Sequence, residues 1–274
     1  MSNQSKTARK VNDAYFTDSE SAKFCHSFMY VHDWLRHDQV VLDPCVGAGA
    51  LVKDLSNKVI AQDIKDYGFK DTIIQDYLAA PPHPKGNIDV VLANPPFGTA
   101  CNLAVPFFNK ACKDADRVGF IIPATFRKAS VTDKLDLNYW KIVDVDLPNQ
   151  TFTLPDGSKK WVRTIFQMWE RRSKPRKRIK DQVKITDYFT RLAKPEPGCY
   201  AFRTQGAKAG KVLDGLDHSP ASTAFLRGSK DRVLAHNWTK LASYTAGIPA
   251  IGLLDVAYHL RLEDLGYDIT PLLN

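Results

Sequence analysis

Four consecutive residues, Asn94-Pro95-Pro96-Phe97, bring together a carboxamide, two stiffened peptide units and an aromatic face. A carboxamide oxygen and a backbone carbonyl both accept hydrogen bonds without acting as strong bases. Two such acceptors on the N–H groups of a planar amine favour a pyramidal nitrogen. Its lone pair then leaves the ring system and can attack an electrophilic methyl group. The same acceptors stabilise the positive charge that grows on nitrogen. Asn94 Oδ1 and the Pro95 carbonyl are the acceptors in this reading, Pro95 and Pro96 hold the backbone, and Phe97 offers a face for stacking a base. No strong general base is required, because the ammonium-type product is itself acidic. The plainer alternative is a strand-ending turn with a buried phenylalanine.

Such a motif must be positioned, and the chain around it alternates strand and helix patterns. Val40-Val41-Leu42 is a short apolar run that stops at Asp43-Pro44, and Gly47 and Gly49 follow in the turn. Glycines there let the backbone approach a ligand closely. The spacing is not GxGxxG, which disfavours a pyrophosphate ligand. Lys58 to Ala61 ends at Gln62-Asp63, Thr72 to Ile74 at Gln75-Asp76, and Ile88 to Ala93 at Asn94. Asp63, twenty positions after Asp43, can accept hydrogen bonds from ribose hydroxyls. Asp76 can accept one from an adenine amino group, or either acid can simply cap a helix. Val118 to Ile122, Trp140 to Asp146 and Trp161 to Trp169 complete the strands, the last behind a Pro155-Asp156-Gly157 turn signal.

Helices are predicted over residues 19 to 37, capped by Ser19, from Ala48 to Leu55, and from Leu103 to Cys112. The pattern predicts an α/β fold. It is a Rossmann-like, doubly wound sheet of seven mostly parallel strands with an antiparallel edge hairpin, plus a small C-terminal region. Ligands bind at the carboxyl ends of strands in such sheets, so Asp43, Asp63, Asp76 and Asn94 should share one cleft.

In these motifs the chain resembles the class I, Rossmann-like methyltransferases, and among them the N6-adenine DNA methyltransferases, which carry NPP[YF] after the fourth strand. The resemblance covers about residues 14 to 170. It implies S-adenosylmethionine as cofactor, with Asp43, Pro44, Gly47 and Gly49 in the cofactor loop. By it Asp63 matches the ribose position and Asp76 the adenine position, with Asn94 reaching both cofactor and substrate. Phe16-Thr17 resembles the N-terminal motif that closes over the methionine part of the cofactor. The segment Val118 to Pro123 with Phe126-Arg127 resembles the fifth-strand region. Cys45-Val46 departs from the aromatic that many relatives carry after the proline. The reaction implied is methylation of adenine N6 in DNA, with the base flipped into the site. An RNA base or a protein glutamine are alternative acceptors, and a non-catalytic nucleic-acid-binding subunit with this fold is an alternative of another class.

Bulk properties bound these readings. A chain of 274 residues, 44% hydrophobic and 25% charged, suits a globular protein with a sizeable core. The five cysteines form no CxxC pair, so neither a disulfide framework nor a metal site is expected. No apolar run is long enough to span a bilayer, and the expectation is a cytoplasmic protein without a membrane partner. A net charge of +8 favours a polyanionic partner, and the Phe16-Thr17 arrangement, which resembles that of the DNA enzymes, implies DNA before RNA. Residues 1 to 12 read as a loosely held lead. A catalytic domain is expected over 1 to 172 and a basic linker with a target-recognition region over 173 to 274. Arg171, Arg172, Lys174, Arg176, Lys177 and Arg178 would contact the nucleic acid, or else form a solvated face. Short strands are read near Tyr200 to Phe202, and helices near Ala221 to Leu226 and Leu253 to Leu262.

Overall fold

A computed structural model describes residues 15–245 and 248–273; the lead expected over residues 1 to 12 lies outside them. Contacts divide the chain into two units, Met1–Ala124 with Lys134–Arg176, and Thr125–Asp133 with Lys177–Asn274. The second unit therefore takes the short segment 125–133 as well as the residues after Arg176.

The first unit is built on short β-branched runs. β1 (Val40–Asp43), β2 (Lys58–Asp63), β3 (Ile73–Ile74), β4 (Val90–Ala93) and β5 (Arg117–Pro123) run parallel in the order β3-β2-β1-β4-β5. β4 is buried at all four positions and β5 at six of seven. Such continuous apolar runs suit strands covered on both faces. β6 (Tyr139–Asp146) and β9 (Thr164–Arg171) complete a seven-stranded sheet, β9 lying antiparallel between β5 and β6. The antiparallel edge is thus made by β9 with β6. The Pro155-Asp156-Gly157 turn closes a separate ribbon of β7 (Thr151–Thr153) and β8 (Lys159–Trp161).

Helix α1 (Ser19–Val31) is capped by Asp18, whose Oδ1 accepts from the Ser21 amide at 2.9 Å. The cap is therefore one residue earlier than Ser19, and the helix stops short of residue 37. Residues 48–55 make turns instead of the predicted helix: Val52 and Lys53 donate to Gly49, and the chain then leaves toward β2. α2 (Ala104–Asp114) packs Phe108 edge-on against Phe120, Tyr139 and Trp169.

One buried network ties α2 to the loop after β3. The Asp114 side chain is fully buried and ion-pairs with Lys110 at 2.9 Å. It also accepts from Tyr77 Oη at 2.5 Å and from the His83 amide at 2.7 Å.

In the second unit, α3 (Ala129–Thr132) precedes a four-stranded antiparallel sheet. The sheet has the order β10 (Thr190–Leu192), β13 (Thr223–Arg227), β11 (Tyr200–Arg203) and β12 (Val212–Leu213). The helix expected over Ala221 to Leu226 is therefore strand β13. It is a buried central strand paired on both sides, and that pairing overrides its local preference. Helices α4 (Lys230–Leu234), α5 (Thr239–Ala242), α6 (Leu253–Asp264) and α7 (Thr270–Leu273) follow. Trp238 and Tyr244 are buried here, the indole Nε1 donating to the Val233 carbonyl at 2.8 Å. No helix among the described residues is long and apolar enough to cross a membrane.

Removing one member of a buried ion pair leaves the other charge uncompensated. Asp114→Ala should lower stability by about 3–5 kcal/mol. It should appear as a lower urea midpoint at unchanged slope.

Candidate active site

The carboxyl ends of β1, β2 and β4 open onto one pocket of about 950 Å³, open solvent included. Its lining includes Phe16, Thr17, Asp43, Pro44, Gly47, Asp63, Asp76 and Asn94. Strand order brings Asp43, Asp63 and Asn94 together, as the sheet rule requires, and the segment bearing Phe16 and Thr17 joins them.

The glycine loop is shaped by its conformation. Gly47 (φ +53°) and Gly49 (φ +80°) sit in the left-handed region. A Cβ on Gly49 would lie 2.0 Å from the Phe69 ring, and one on Gly47 3.3 Å from Phe16. Phe16 crosses edge-on to Tyr67 at 5.2 Å, so two aromatics stand over the loop. Gly49 itself does not line the pocket; it lets Phe69 pack close.

Asp43 and Asp63 are both buried. Burial pushes the Asp43 carboxyl up to about 8; the bond from the Cys45 amide at 3.1 Å opposes this, and the charge of Asp63 adds to it. Burial also raises Asp63, against amide bonds from Gly47 at 2.9 Å and Lys65 at 3.2 Å. These bonds fix the Asp63 carboxylate and join the end of β2 to the glycine loop. Asp76, beyond β3, accepts from the Leu78 amide at 3.0 Å. Two buried acids beside apolar walls from Ile64, Leu78 and Phe107 suit a ligand that carries positive charge on a flat apolar body.

Asn94 is the most informative residue. Its Nδ2 donates to the Tyr15 carbonyl at 2.8 Å and to Thr17 Oγ1 at 3.1 Å. A carbonyl can only accept, so the nitrogen must be on that side. Oδ1 is then buried with no partner among the described residues. It is one of four such buried side-chain atoms, and the one whose residue lines this pocket. An acceptor left unpaired costs about 1–3 kcal/mol and needs a reason; a donor brought by a ligand supplies one.

The stacking face expected of Phe97 is not open to the pocket. Phe97 does not line the pocket: it is buried, stacked on Tyr15 at 5.0 Å and 17°, and edge-on to Phe152 at 6.4 Å. The face expected to receive a base is covered by Tyr15. Pro96 lines the pocket, whereas Pro95 is buried behind it.

The basic run is exposed except at the half-buried Arg176, and several of its side chains are tied to their neighbours. Arg171 pairs with Asp116 at 3.6 Å, and Arg172 lies over Trp140, whose indole donates to the Lys174 carbonyl at 2.8 Å. Arg176 donates to the Tyr139 and Leu135 carbonyls and lies over Trp169. In the second unit Arg178 donates to the Asp133 carbonyl at 3.4 Å. Lys174 and Lys177 are exposed. Sequence reading missed Tyr67, Tyr77 and Phe107 in the pocket wall; Tyr77 directly follows Asp76, and that adjacency was the available signal.

The strand order, with β9 reversed between β5 and β6, makes a Rossmann-like, mostly parallel seven-stranded sheet with antiparallel edge strands. No protein-family model and no curated protein matches the chain. Solved structures do. A candidate RNA methyltransferase from Pyrococcus horikoshii is 18% identical, with a TM-score of 0.44, over 57% of this chain and 86% of that one. The E. cuniculi Mtq2–Trm112 complex, responsible for methylation of the eRF1 translation termination factor, is 14% identical, with a TM-score of 0.42, over 59% and 99%. An rRNA methylase from Streptococcus thermophilus is 16% identical, with a TM-score of 0.37, over 58% and 99%. These structures are named for RNA or a protein as substrate, not DNA, and the expectation of DNA as partner is withdrawn.

The electrostatics give a test. Asp43 binds its proton more tightly folded than unfolded. The stability it contributes is therefore present below the ordinary carboxylate range, declines as pH rises toward 8, and is flat beyond. Asp43→Asn keeps an acceptor for the Cys45 amide without the charge. The melting temperature of the wild type should fall relative to this variant between pH 4 and 8, in a comparison of paired thermal scans.

Proposed function

We propose that the protein is an S-adenosylmethionine-dependent methyltransferase acting on an exocyclic amino group of an RNA base. The observation that carries this reading is the buried Oδ1 of Asn94 at the end of β4, which has no partner among the described residues. An acceptor held in place before the substrate arrives costs no reorganisation when charge develops on the amine. The net charge of +8 favours a polyanionic substrate, and RNA is the polyanion that this reading takes.

The pocket suits the cofactor. Gly47 leaves its backbone open to a ligand. Asp63, held by two amides, still has lone pairs for ribose hydroxyls. Asp43, raised by burial, is the carboxylate that a cationic ligand would return to its ionised form. In this reading Asp76 takes the adenine amino group and Phe16 and Thr17 take the methionine part. When bound, the cofactor supplies an electrophilic methyl group.

The chain's own residues then orient the acceptor. Asn94 Oδ1 accepts one N–H of the amine and the Pro95 carbonyl is assigned the other. The nitrogen becomes pyramidal and its lone pair faces the methyl donor. Asn94 is neutral and takes no proton; the ammonium-type product loses one to water. The Tyr15 carbonyl and Thr17 hydroxyl act one step back, by keeping the carboxamide from flipping.

Incubation with unmodified total RNA and methyl-labelled cofactor, followed by digestion to nucleosides, should yield a labelled N-methylated base. Label found on a protein glutamine, with none in RNA, would overturn the substrate. Asn94→Ala should lower turnover by about 10²–10³-fold while calorimetric cofactor binding stays close to wild type. Undiminished turnover would falsify the role given to Asn94.

A further inference from the structure

Resting on the RNA reading above, we propose that the β7–β8 ribbon is the surface on which a single-stranded RNA segment docks beside the acceptor base. Trp161 stacks a neighbouring base and Lys159 pairs with phosphate.

All three residues of β8 are exposed, and Trp161 is 62% exposed. By contrast Trp34, Trp169 and Trp238 are buried. The indole of Trp161 is thus accessible on a ribbon outside the main sheet, beside the exposed Lys159.

The ribbon has two distinct faces. Phe152 pairs with Lys160, Thr151 with Trp161 and Thr153 with Lys159. Successive side chains of a strand point to opposite faces. Phe152 is buried against Tyr15, and Lys160 Nζ donates to Tyr15 Oη at 2.8 Å. The Phe152–Lys160 face is therefore the inner one, and Thr151, Thr153, Lys159 and Trp161 share the outer one. The small threonines leave the indole face open.

The ribbon is also joined to the site. The Phe16 amide donates to the Thr153 carbonyl at 2.9 Å, and Thr17 of the same segment holds Asn94. Lys159 lies two strand spacings from Phe16, about 10 Å, and Trp161 two residues further along. A strand whose acceptor base enters the pocket would pass this face. An open aromatic beside a lysine is the arrangement that holds single-stranded nucleic acid without reading its sequence. That is a different task from base selection at Asn94.

The test uses the full chain and a fluorescent single-stranded oligoribonucleotide, with affinity read by anisotropy. Trp161→Ala should weaken binding by roughly ten-fold, and Trp161→Phe should retain most of the affinity. Lys159→Ala should weaken binding and lower the salt slope by about one. Cofactor affinity, measured by calorimetry, and melting temperature should be unchanged in all three variants. RNA methylated by the wild type, with Trp161→Ala binding equally well, would overturn the ribbon's role and leave the RNA reading intact. A wild type that binds no RNA and labels a glutamine-bearing peptide would overturn both.

Discussion

The amide nitrogen of Asn94 is engaged twice, by the Tyr15 carbonyl and the Thr17 hydroxyl. These contacts decide which way the carboxamide faces, and much of the site follows from that choice. They pin an N-terminal segment across the end of β4, although that segment is nearly eighty positions away in sequence. Phe16 is thereby set over Gly47, and Tyr15 over Phe97. A terminal stretch without helix or sheet of its own becomes one wall of the pocket. The same bonds leave the carboxamide oxygen pointing where no donor among the described residues reaches.

The acids follow a related logic. Asp43 ends a buried strand flanked by parallel neighbours on both sides, so its carboxylate cannot reach bulk water. Asp63 is spared part of that penalty by two backbone amides. Both carboxyls are therefore held above the ordinary carboxylate range and keep their protons more tightly than in the unfolded chain. Stability above that range is given up locally, as is common at functional sites.

The strands were legible because their composition and their stops coincide: Val40 to Leu42 before Asp43, and Val90 to Ala93 before Asn94. Order along the sheet then brought the polar ends together without any further information. Residues 48–55 were misread because apolar spacing there reflects packing beneath α1, whose His26 ring contacts the Leu51 carbonyl at 2.7 Å. Thr223 to Leu226 were misread because only pairing with β10 and β11 makes them a strand. Phe97 was assigned to the substrate since a motif shows which ring is near, not which face is already covered. The basic run read as a linker because a string of charges does not show that Trp140 and Trp169 lie beneath two of its guanidinium groups.

The units interleave along the chain. Residues 125–133 leave the first unit between β5 and β6 and join the second, where the Ala129 amide donates to Asp255 at 2.8 Å and Asp133 accepts from the Ile179 amide at 2.6 Å. During synthesis this segment emerges well before its partners and must wait for them. A fragment ending at residue 176 would strand it permanently. The C-terminal unit is therefore no cassette that recombination could append to or exchange from a pre-existing core. Any ancestor with a different C-terminal part needed a different loop after β5 as well, so the two stretches had to change together.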